Sequence, residues 1–495
     1  MPNKNNSTAR KAIKGLSAQT IVTIVMGVVE IVTFSIMSRL LTETDFGYYS
    51  AMVAIATIFS SLSDTGIGSA IVQRKNLDAK FINVAFTASF FVGIILAGLL
   101  CISSGILAEG VADSTMQKPL ILFSMTLLFT CISSVDISLL QRELKFISIG
   151  GIRLIASVLS TICAVILAIK GFGYYAILAK TIINALLIAL LAKIVSKSKY
   201  IFAFDLGVLK QLFGFSGWLM LSAFFRNIAG QIDRLLMSSL FSVSILGLYS
   251  RPKDFITSLS DKVNGIFDSV LFPVFSGIQD ERERLKNSYM YSLFFLNLTG
   301  LMLALLLFFN SELIIRLFFG EKWLHQNTLF LLLSFTPICQ INGRISDIFL
   351  RTLGMTKQQF YFRVFQMIVI TACVFGGAKV GGIYGVAIGY MLGYSTIVIA
   401  KMITLSRKTG FSFWDSCMSI LESYRIMIVM VPLYVLTQFL LPESLSGNII
   451  KALVFFIVTG VCFLLVPITV GSLYKNYAYN KVTTFISSKF NKKKK

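Results

Sequence analysis

The fold is decided by the segment Phe213–Ser276, which reads FGFSGWLMLSAFFRNIAGQIDRLLMSSLFSVSILGLYSRPKDFITSLSDKVNGIFDSVLFPVFS. Its apolar length predicts two membrane-crossing helices joined by an uncharged turn near Ser242–Ser244. Both helices nevertheless carry charged residues, which are Arg226, Asp233, Arg234, Arg251, Lys253, Asp254, Asp261, Lys262 and Asp268. An ionised side chain at the bilayer centre costs about 2.5–3.5 kcal/mol on insertion scales. These side chains must therefore line water or pair with one another.

The charges recur at a spacing that places them on one side of each helix. Arg226 and Asp233 are seven residues apart, as are Asp254, Asp261 and Asp268. Seven residues make nearly two turns of an α-helix, so the side chains return to the same face. Each helix therefore has one polar stripe on a surface of Phe, Leu and Ile. This pattern predicts a water-filled, charged cavity inside a membrane bundle.

The composition is that of a polytopic membrane protein. Of the 495 residues, 56% are apolar and 14% are charged, whereas soluble domains have about 25% charged residues. A formal net charge of +22 would suggest nucleic-acid binding in a soluble protein. Here the basic residues lie mostly in short segments between apolar spans, so we expect no nucleic-acid partner. The basic tail Lys492–Lys495 is expected to contact anionic membrane lipids.

Fourteen apolar spans are long enough to cross a hydrocarbon layer of about 30 Å. They lie at residues 17–38, 46–73, 81–107, 119–140, 150–169, 173–195, 213–240, 244–275, 288–309, 326–350, 360–378, 381–405, 425–441 and 448–472. The second, eighth and tenth spans contain so many polar residues that a plain hydropathy window would miss them. The sequence therefore predicts an all-α polytopic membrane protein with 14 transmembrane helices.

The distribution of Lys and Arg predicts the orientation. When the segments between spans are assigned alternately to two sides, 31 of the 45 Lys and Arg residues fall on the side that holds both termini. The opposite side holds 7, and the other 7 lie within spans. Because cytoplasmic segments carry the excess of basic residues, we expect both termini to be cytoplasmic. The expected location is the cell inner (plasma) membrane.

Short motifs recur at a separation of about 200–210 residues. Gly47–Ser50 (GYYS) corresponds to Gly247–Ser250 (GLYS), and Gly171-x-x-Tyr174 corresponds to Gly381-x-x-Tyr384. Six predicted helices separate the copies, so both copies have the same orientation in the membrane. We therefore expect two six-helix lobes related by a parallel internal repeat. The N-lobe comprises residues 1–200 and the C-lobe residues 201–410, followed by two further helices and a basic tail in residues 411–495.

Neither a metal centre nor an enzyme is predicted. The seven cysteines are scattered through apolar runs without a CxxC pair, and the single His325 has no His or Cys cluster around it. This excludes the usual spacing of metal ligands and disulfide frameworks. A membrane polymerase or glycosyltransferase would need a sizeable external loop or an acid pair near the outer surface. No segment between spans exceeds about twenty residues, so we predict no catalytic residues.

Several short motifs occur in a consistent order and spacing between about Gly15 and Leu405. They are Ser38–Leu41, Asp45–Ser50, Asp233, Gly247–Ser250, Leu271–Ser276, Gln279, Asp280 and Arg284. On these motifs the chain resembles the multidrug/oligosaccharidyl-lipid/polysaccharide exporter superfamily, and within it the Wzx-type polysaccharide flippases of the colanic-acid exporter type. The resemblance implies two lobes around a central cavity. It also implies alternating access that moves an undecaprenyl-pyrophosphate-linked oligosaccharide to the outer leaflet, for O-antigen, capsule or exopolysaccharide synthesis.

Intramembrane cations are the predicted substrate-binding residues. A lipid pyrophosphate brings at least two negative charges into the membrane, and the planar fork of Arg donates bidentate hydrogen bonds to phosphate. The candidates are Arg226, Arg234, Arg251, Lys253, Lys262 and Arg344. The alternative is that some neutralise nearby acids, as Arg344 would with Asp347 or Arg226 with Glu30. Lys180, near the outer end of the sixth span, is interpreted as a snorkelling residue.

Four acidic residues are predicted to couple transport to an ion gradient, namely Glu30, Asp64, Asp233 and Asp261. A carboxylate that is desolvated in a helix bundle can carry a proton, and with neighbouring carbonyl groups it can hold a sodium ion. A permanent salt bridge is the structural alternative. We therefore expect no bound cofactor, and a proton or sodium gradient as the source of energy.

Two transporters of the same fold are the alternatives. A cation-coupled multidrug exporter needs an apolar or acidic pocket for cationic drugs, which the seven intramembrane cations disfavour. A lipid II flippase needs the same charged cavity, and only the shape of the pocket distinguishes it. We expect a monomer that binds the lipid-linked oligosaccharide, with a polysaccharide polymerase as a candidate partner protein.

Overall fold

The computed structural model describes residues 22, 25–63, 67–74, 77–111, 114–214, 217–428 and a few positions between 431 and 457. Every regular element in this described part is helical, which confirms the all-α prediction. The helices are α1 (residues 25–40), α2 (Glu43–Ser63), α3 (Ile67–Gln73), α4 (Ala79–Val111), α5 (Gln117–Arg142), α6 (Phe146–Ile169), α7 (Tyr174–Ser196), α8 (Leu206–Gly214), α9 (Gly217–Leu240), α10 (Val243–Gly277), α11 (Arg282–Phe309), α12 (Ser311–Ile314), α13 (Asn327–Leu333), α14 (Thr336–Thr352), α15 (Thr356–Thr409) and α16 (Phe413–Ser423).

Six helices of the described part are long and apolar enough to cross a membrane. They are Ala79–Gly110, Gln117–Arg142, Phe146–Ile169, Tyr174–Ser196, Arg282–Phe309 and Lys357–Thr409. α2, α9 and α10 are helical where the second, seventh and eighth spans were predicted, but their polar residues lower their hydropathy. The chain is thus a multi-pass membrane protein. The total of fourteen spans and the cytoplasmic termini stay predictions.

α15 consists of two helices that meet at a sharp turn. Gly381 and Gly382 have non-helical backbone angles, and Gly382 has a φ of +55°, which residues with a Cβ rarely adopt. The two arms lie so close that a Cβ on Gly377 would be 2.1 Å from the carbonyl oxygen of Gly385. Small residues allow such contact between membrane helices. The turn confirms the boundary predicted between the spans 360–378 and 381–405.

The span predicted at residues 326–350 is not one helix. α13 ends at Leu333, and α14 begins at Thr336 with Pro337 in its first turn. Pro337 has no N–H to continue the hydrogen-bond ladder of α13. The Thr336 hydroxyl donates to the Leu333 carbonyl at 2.8 Å, which satisfies one of the carbonyl groups left at the end of α13. The prediction of a single helix is therefore wrong at this proline.

The chain forms two compact units. The first unit comprises the described residues up to Phe255 together with Ile315–Leu329 and Met355–Gly393, and the second comprises Ile256–Ile314, Phe330–Gly354 and the described residues from Tyr394. In the first unit α5 packs on α4 and α7, α6 packs on α7, and α2 packs on α9. In the second unit α14 and α16 pack on α11. The boundaries predicted for the two lobes stay a prediction.

α2 and α10 begin side by side in the first unit. A Cβ on Gly47 would lie 1.9 Å from the Val243 carbonyl oxygen, and a Cβ on Gly247 would lie 1.8 Å from the Glu43 carbonyl oxygen. Each of the two repeat-related glycines therefore admits the backbone of the other helix. The contact brings the two repeated motifs together, and the parallel internal repeat itself stays a prediction.

The short segment Glu321–Gln326 fixes the end of α1. The Trp323 indole N–H donates to the Ser38 carbonyl at 3.0 Å, and the Lys322 ammonium donates to the Leu41 carbonyl at 2.6 Å. Burial lowers the pKa of Lys322. Because these bonds satisfy carbonyl groups that the last turn of α1 leaves unpaired, they hold the helix that carries Glu30 and Phe34.

Candidate functional site

A cavity of about 430 Å³ lies within the first unit. α1, α2, α6, α7 and α10 contribute its walls, and we call it the charged cavity. Its lining residues are Met26, Glu30, Thr33, Phe34, Met37, Phe46, Tyr49, Arg153, Ser157, Ile177, Lys180, Thr181, Asn184, Ile188, Arg251 and Asp254. The volume falls within the usual range of about 300–1,000 Å³ for ligand pockets. The sequence prediction of a charged cavity thus has a counterpart inside this unit.

The hydrogen bonds of Arg251 go to neutral groups. Its Nε donates to the Ser38 hydroxyl at 2.9 Å, and its Nη2 donates to the Phe34 carbonyl and the Ser38 hydroxyl, each at 2.6 Å. The guanidinium carbon lies 3.3 Å from the ring centroid of Phe34 and 4.0 Å from that of Phe46. No carboxylate is among these bonds, and Asp254 of the same lining acts on Arg251 through its charge while it forms a contact ion pair with Arg234. Arg251, predicted to bind substrate, therefore reaches the charged cavity as a cation.

Arg153 and Lys180 are two more cations of the charged cavity. Within the part of the chain that the structure describes, neither side chain forms a hydrogen bond or a contact ion pair. Arg153 is exposed and Lys180 is half-buried. Glu30 acts on the partly desolvated Lys180 ammonium through its charge, but without a contact ion pair. Both side chains are therefore available to an anionic ligand.

Two carboxylates lie in the same walls. Asp254 forms an ion pair with Arg234, a predicted substrate residue that is buried and does not line the cavity. Glu30, a predicted ion-coupling residue, is exposed in the cavity and has interactions of its own. The lining thus holds three cations against two acids, one of which is already paired with a fourth cation. The balance of the cavity is positive.

Asp233 and Lys253 form a separate structure that we call the buried ion cluster, together with Tyr249. Lys253 donates to Asp233, and the Tyr249 hydroxyl donates to the same carboxylate oxygen at 2.7 Å. The Lys253 ammonium also lies 4.2 Å from the ring centroid of Tyr390. Asp233 and Tyr249 are fully buried, and Lys253 is 3% exposed. The structure thus pairs Lys253, predicted to bind substrate, with Asp233, predicted to couple an ion.

The predicted residues of the second unit also include a paired cation. The Arg344 guanidinium forms an ion pair with Asp268, in which Nε donates to the two carboxylate oxygens at 2.9 and 3.0 Å. Lys401 donates to Asp347 at 2.7 Å. Asp261 is exposed, and Lys262 is half-buried with interactions of its own. The roles predicted for Arg344, Lys262 and Asp261 stay predictions.

Two predicted residues remain, one that does not line the charged cavity and one that the structure does not describe. Arg226 is exposed on α9 in the first unit and has interactions of its own. Asp64 lies outside the described residues. Their predicted roles also stay predictions.

Sequence reasoning missed three residues of the first unit. Arg153, at the start of the predicted span 150–169, was counted with the basic residues of the preceding cytoplasmic segment, and Lys180 was interpreted as a snorkelling residue. Both line the charged cavity. Asp136 was not considered, yet it is fully buried and accepts hydrogen bonds from Ser196 at 2.5 Å and Tyr200 at 2.6 Å. Burial and the bond to Asp136 raise the pKa of Tyr200. The available signal was in each case a charge within or beside an apolar span.

Comparison with known proteins identifies relatives over most of the chain. Residues 36–328 match the family described as polysaccharide biosynthesis protein. The chain is 23% identical to the lipopolysaccharide biosynthesis protein WzxC of Escherichia coli K12 over 396 residues, which cover 78% of this chain and 79% of the relative. It is 24% identical to the succinoglycan biosynthesis transport protein ExoT of Rhizobium meliloti, with coverage of 74% and 76%.

A solved structure has the same fold. The lipid II flippase MurJ in an inward closed conformation superposes with a TM-score of 0.68 at 17% identity, and the match covers 92% of this chain and 99% of MurJ. At this identity the likeness concerns the fold alone. It agrees with the fold class implied by the sequence motifs.

Proposed function

Because the chain belongs to the polysaccharide biosynthesis protein family, as a Wzx-type polysaccharide flippase, we propose that it moves an undecaprenyl-pyrophosphate-linked oligosaccharide across the bacterial inner membrane by alternating access. It is a membrane transporter of surface polysaccharide synthesis and not an enzyme. The finer statements concern the pyrophosphate, the residues that bind it and the energy source. They rest on the chemistry of the charged cavity.

One observation carries the proposal. Arg153, Lys180 and Arg251 line one cavity of the membrane bundle, and none of the three has a hydrogen-bonded carboxylate among the described residues. Membrane-embedded cations that form no contact ion pair are expected to serve a ligand or a pathway. A lipid-linked pyrophosphate supplies the matching negative charge. Its charges would be neutralised in the membrane while its lipid chain stays in hydrocarbon.

The three cations would have different roles in binding. Arg251 is fixed by Ser38 and by the rings of Phe34 and Phe46, so it offers a preorganised planar donor. Lys180 supplies a compact charge on a flexible stem, and Arg153 a second guanidinium. Of the other predicted cations, Arg234, Lys253 and Arg344 already hold carboxylates. We propose that these three cations mainly stabilise the fold through their ion pairs. Arg226 and Lys262 are secondary candidates for substrate contact.

Glu30 is the proposed coupling residue. It lines the same cavity as Lys180 and Arg251, so a proton or sodium ion bound there would alter the charge seen by the substrate. Asp233 is engaged by Lys253 and Tyr249, which favours a permanent structural pair over coupling. Asp64 and Asp261 remain further candidates. A proton or sodium gradient as the energy source is part of the same proposal.

The proposal is tested by transport in proteoliposomes that contain the purified full-length chain. The variants are Lys180→Met, Lys180→Glu and Lys180→Arg, with Lys170→Met as the matched control at an exposed position outside the charged cavity. The substrate is labelled undecaprenyl-pyrophosphate-linked oligosaccharide, and the measurement is the rate of its appearance in the outer leaflet. A charge-assisted hydrogen bond contributes about 1.5–3 kcal/mol. We therefore expect about a 10- to 150-fold lower rate for Lys180→Met.

The controls separate this function from its alternatives. Lys180→Arg should retain most of the rate, Lys170→Met all of it, and Lys180→Glu should abolish it. A folded Lys180→Glu protein that transports at the normal rate would refute the substrate site. An exporter of cationic drugs predicts the opposite sign, because Lys180→Glu would then improve efflux of a cationic dye.

A further inference from the structure

A second cavity of about 250 Å³ adjoins the charged cavity in the first unit. Thr181, Asn184 and Ile188 of α7 line both cavities. The second cavity also touches α2 and α5 through Thr57 and Thr126, among other residues. Its lining side chains are uncharged. We call it the hydroxyl pocket, and no function described above uses it.

The hydroxyl groups of this pocket present acceptors. Thr57 donates its proton to the Val53 carbonyl at 2.6 Å, and Thr126 donates to the Phe123 carbonyl at 2.7 Å. Thr181 donates to the Ile177 carbonyl at 3.1 Å and accepts from the Tyr49 hydroxyl at 3.1 Å, so its oxygen has one further acceptor site. A hydroxyl has one proton and two lone pairs, so an oxygen whose proton is engaged offers only acceptor sites to a ligand. The pocket therefore offers several neutral acceptors on three helices.

The acceptors select among ligand chemistries. A phosphate or carboxylate brings acceptors only and would find no donor among these threonines. A hydrocarbon chain would leave the lone pairs without hydrogen bonds. A sugar brings several hydroxyl donors, and the Asn184 amide can both donate to and accept from a ring hydroxyl. Phe123 and Leu127 provide apolar surface in the same pocket for the C–H face of a ring.

The position of the hydroxyl pocket fits one further requirement. In a lipid-linked saccharide the first sugar is bonded directly to the pyrophosphate, so a site for the sugar must adjoin the site for the anion. The common α7 wall satisfies this condition. Asn184 lies about 15 Å along α7 from the start of the helix, at 1.5 Å per residue. A neutral polar pocket at this depth is unusual, since hydrocarbon surrounds most of the bundle.

From these observations we infer that the hydroxyl pocket binds the first, pyrophosphate-linked sugar of the substrate, through acceptors on Thr57, Thr126 and Thr181 and the amide of Asn184. The inference rests on the proposed function and adds a glycan subsite to it. The sugar class is an uncharged hexose or N-acetylhexosamine, because the carboxylate of an acidic sugar would face the acceptor oxygens of the three threonines and no cation in this lining. The anionic part of the same molecule lies in the charged cavity.

The test compares two ligands that differ only in the sugar. Binding to the purified full-length chain is measured for undecaprenyl pyrophosphate and for its derivatives carrying one glucose or one N-acetylglucosamine. We expect at least one glycosylated lipid to bind more tightly than the sugar-free lipid. Because one hydrogen bond contributes about 0.5–1.5 kcal/mol, Thr57→Val and Thr126→Val should each lower this preference about two- to tenfold. Valine keeps the shape of threonine and removes its acceptor.

Two controls address folding and local shape. Thr57→Ser and Thr126→Ser restore a hydroxyl and should restore the preference for the sugar. Thr371→Val removes a hydroxyl that donates to the Met367 carbonyl at 2.7 Å, but lines neither cavity, and should leave the preference intact.

Each outcome decides between the two proposals. Equal binding of the glycosylated and sugar-free lipids by the wild type would overturn the glycan subsite, while the pyrophosphate site would stand. A preference that survives both valine variants would also overturn the subsite. If none of the lipids binds, the proposed function fails, and the subsite fails with it.

Discussion

The charged cavity and the buried ion cluster use similar residues in opposite ways. In the buried ion cluster one carboxylate, Asp233, receives both a lysine and a tyrosine hydroxyl, and the three side chains are almost completely buried. In the charged cavity Arg153 and Lys180 have no hydrogen-bonded partner among the described residues, and Arg251 donates its hydrogen bonds to neutral groups. The difference shows that an intramembrane charge is informative about ligands only when its partners are known.

A single helix supplies both arrangements. Tyr249 and Lys253 are four residues apart on α10 and share one face, which belongs to the buried ion cluster. Arg251 and Asp254 are three residues apart and share another face, which lines the charged cavity. Residues three and four apart are neighbours on a helix, whereas residues two apart point away from each other. α10 thus separates a structural set of charges from a set that faces the cavity.

The largest effect is expected for Asp233→Ala. Removing one partner of a buried ion pair leaves the other charge uncompensated and costs about 3–5 kcal/mol. The variant should melt well below the wild type, or fail to accumulate, when thermal stability is measured in detergent. The double variant Asp233→Leu with Lys253→Met removes both charges and should regain most of the lost stability. If Asp233→Ala melted at the wild-type temperature, the buried ion cluster would not be a stabilising structure, and its contrast with the charged cavity would fail.

An intermediate effect is expected for Gly47→Ala, which tests packing on the same helix without changing a charge. A Cβ at this position would lie 1.9 Å from the Val243 carbonyl oxygen, so α2 and α10 must separate. Overpacking of this kind costs about 1–3 kcal/mol. The matched control is Gly98→Ala, because a Cβ at Gly98 has nothing within 4 Å among the described residues. Equal melting temperatures for the two variants would show that the glycine contact does not set the position of α10.

The smallest effect on stability is expected for Lys180→Met. The ammonium has no hydrogen-bonded partner to lose in the described part of the chain. The free energy of unfolding should therefore stay within about 0.5 kcal/mol of the wild type, and the melting temperature should be unchanged or slightly higher. The same variant is expected to lose transport. A fall in stability like that of Asp233→Ala would show that Lys180 is a structural residue, and the comparison would fail.

Sequence periodicity predicted the elements better than the site. The apolar spans located α4–α7, α11 and the two arms of α15, because membrane helices have a strong hydropathy signal. Gly47 and Gly247, which belong to the repeated GYYS and GLYS motifs, make a reciprocal contact that depends on the absence of a Cβ, but the repeat itself stays a prediction. The break at Pro337 was missed, although a proline at that point is a reason to expect one.

The site was only partly predictable because periodicity gives the face of a helix and not the helix opposite it. Arg251 was correctly placed at a cavity, whereas Lys253, two residues later, meets Asp233 in the buried ion cluster. Lys180 and Arg153 were not included among the substrate-binding candidates because they lie near the ends of predicted spans. Their importance arises from α10 and α1, which lie close to α6 and α7 only in the folded chain.

The aromatic clamp on Arg251 has a consequence for selectivity among anions. Since Phe34 and Phe46 hold the guanidinium plane, it cannot swivel to follow an incoming group. Because Nε and Nη2 already donate to Ser38 and Phe34, the two N–H groups of Nη1 are left to bind an anion. Their fixed directions favour a phosphate oxygen that lies along them over a spherical halide of equal charge. Lys180 attracts any anion without regard to its shape. Discrimination between headgroups therefore depends on Arg251 of α10, whereas Lys180 of α7 provides non-selective attraction for anions.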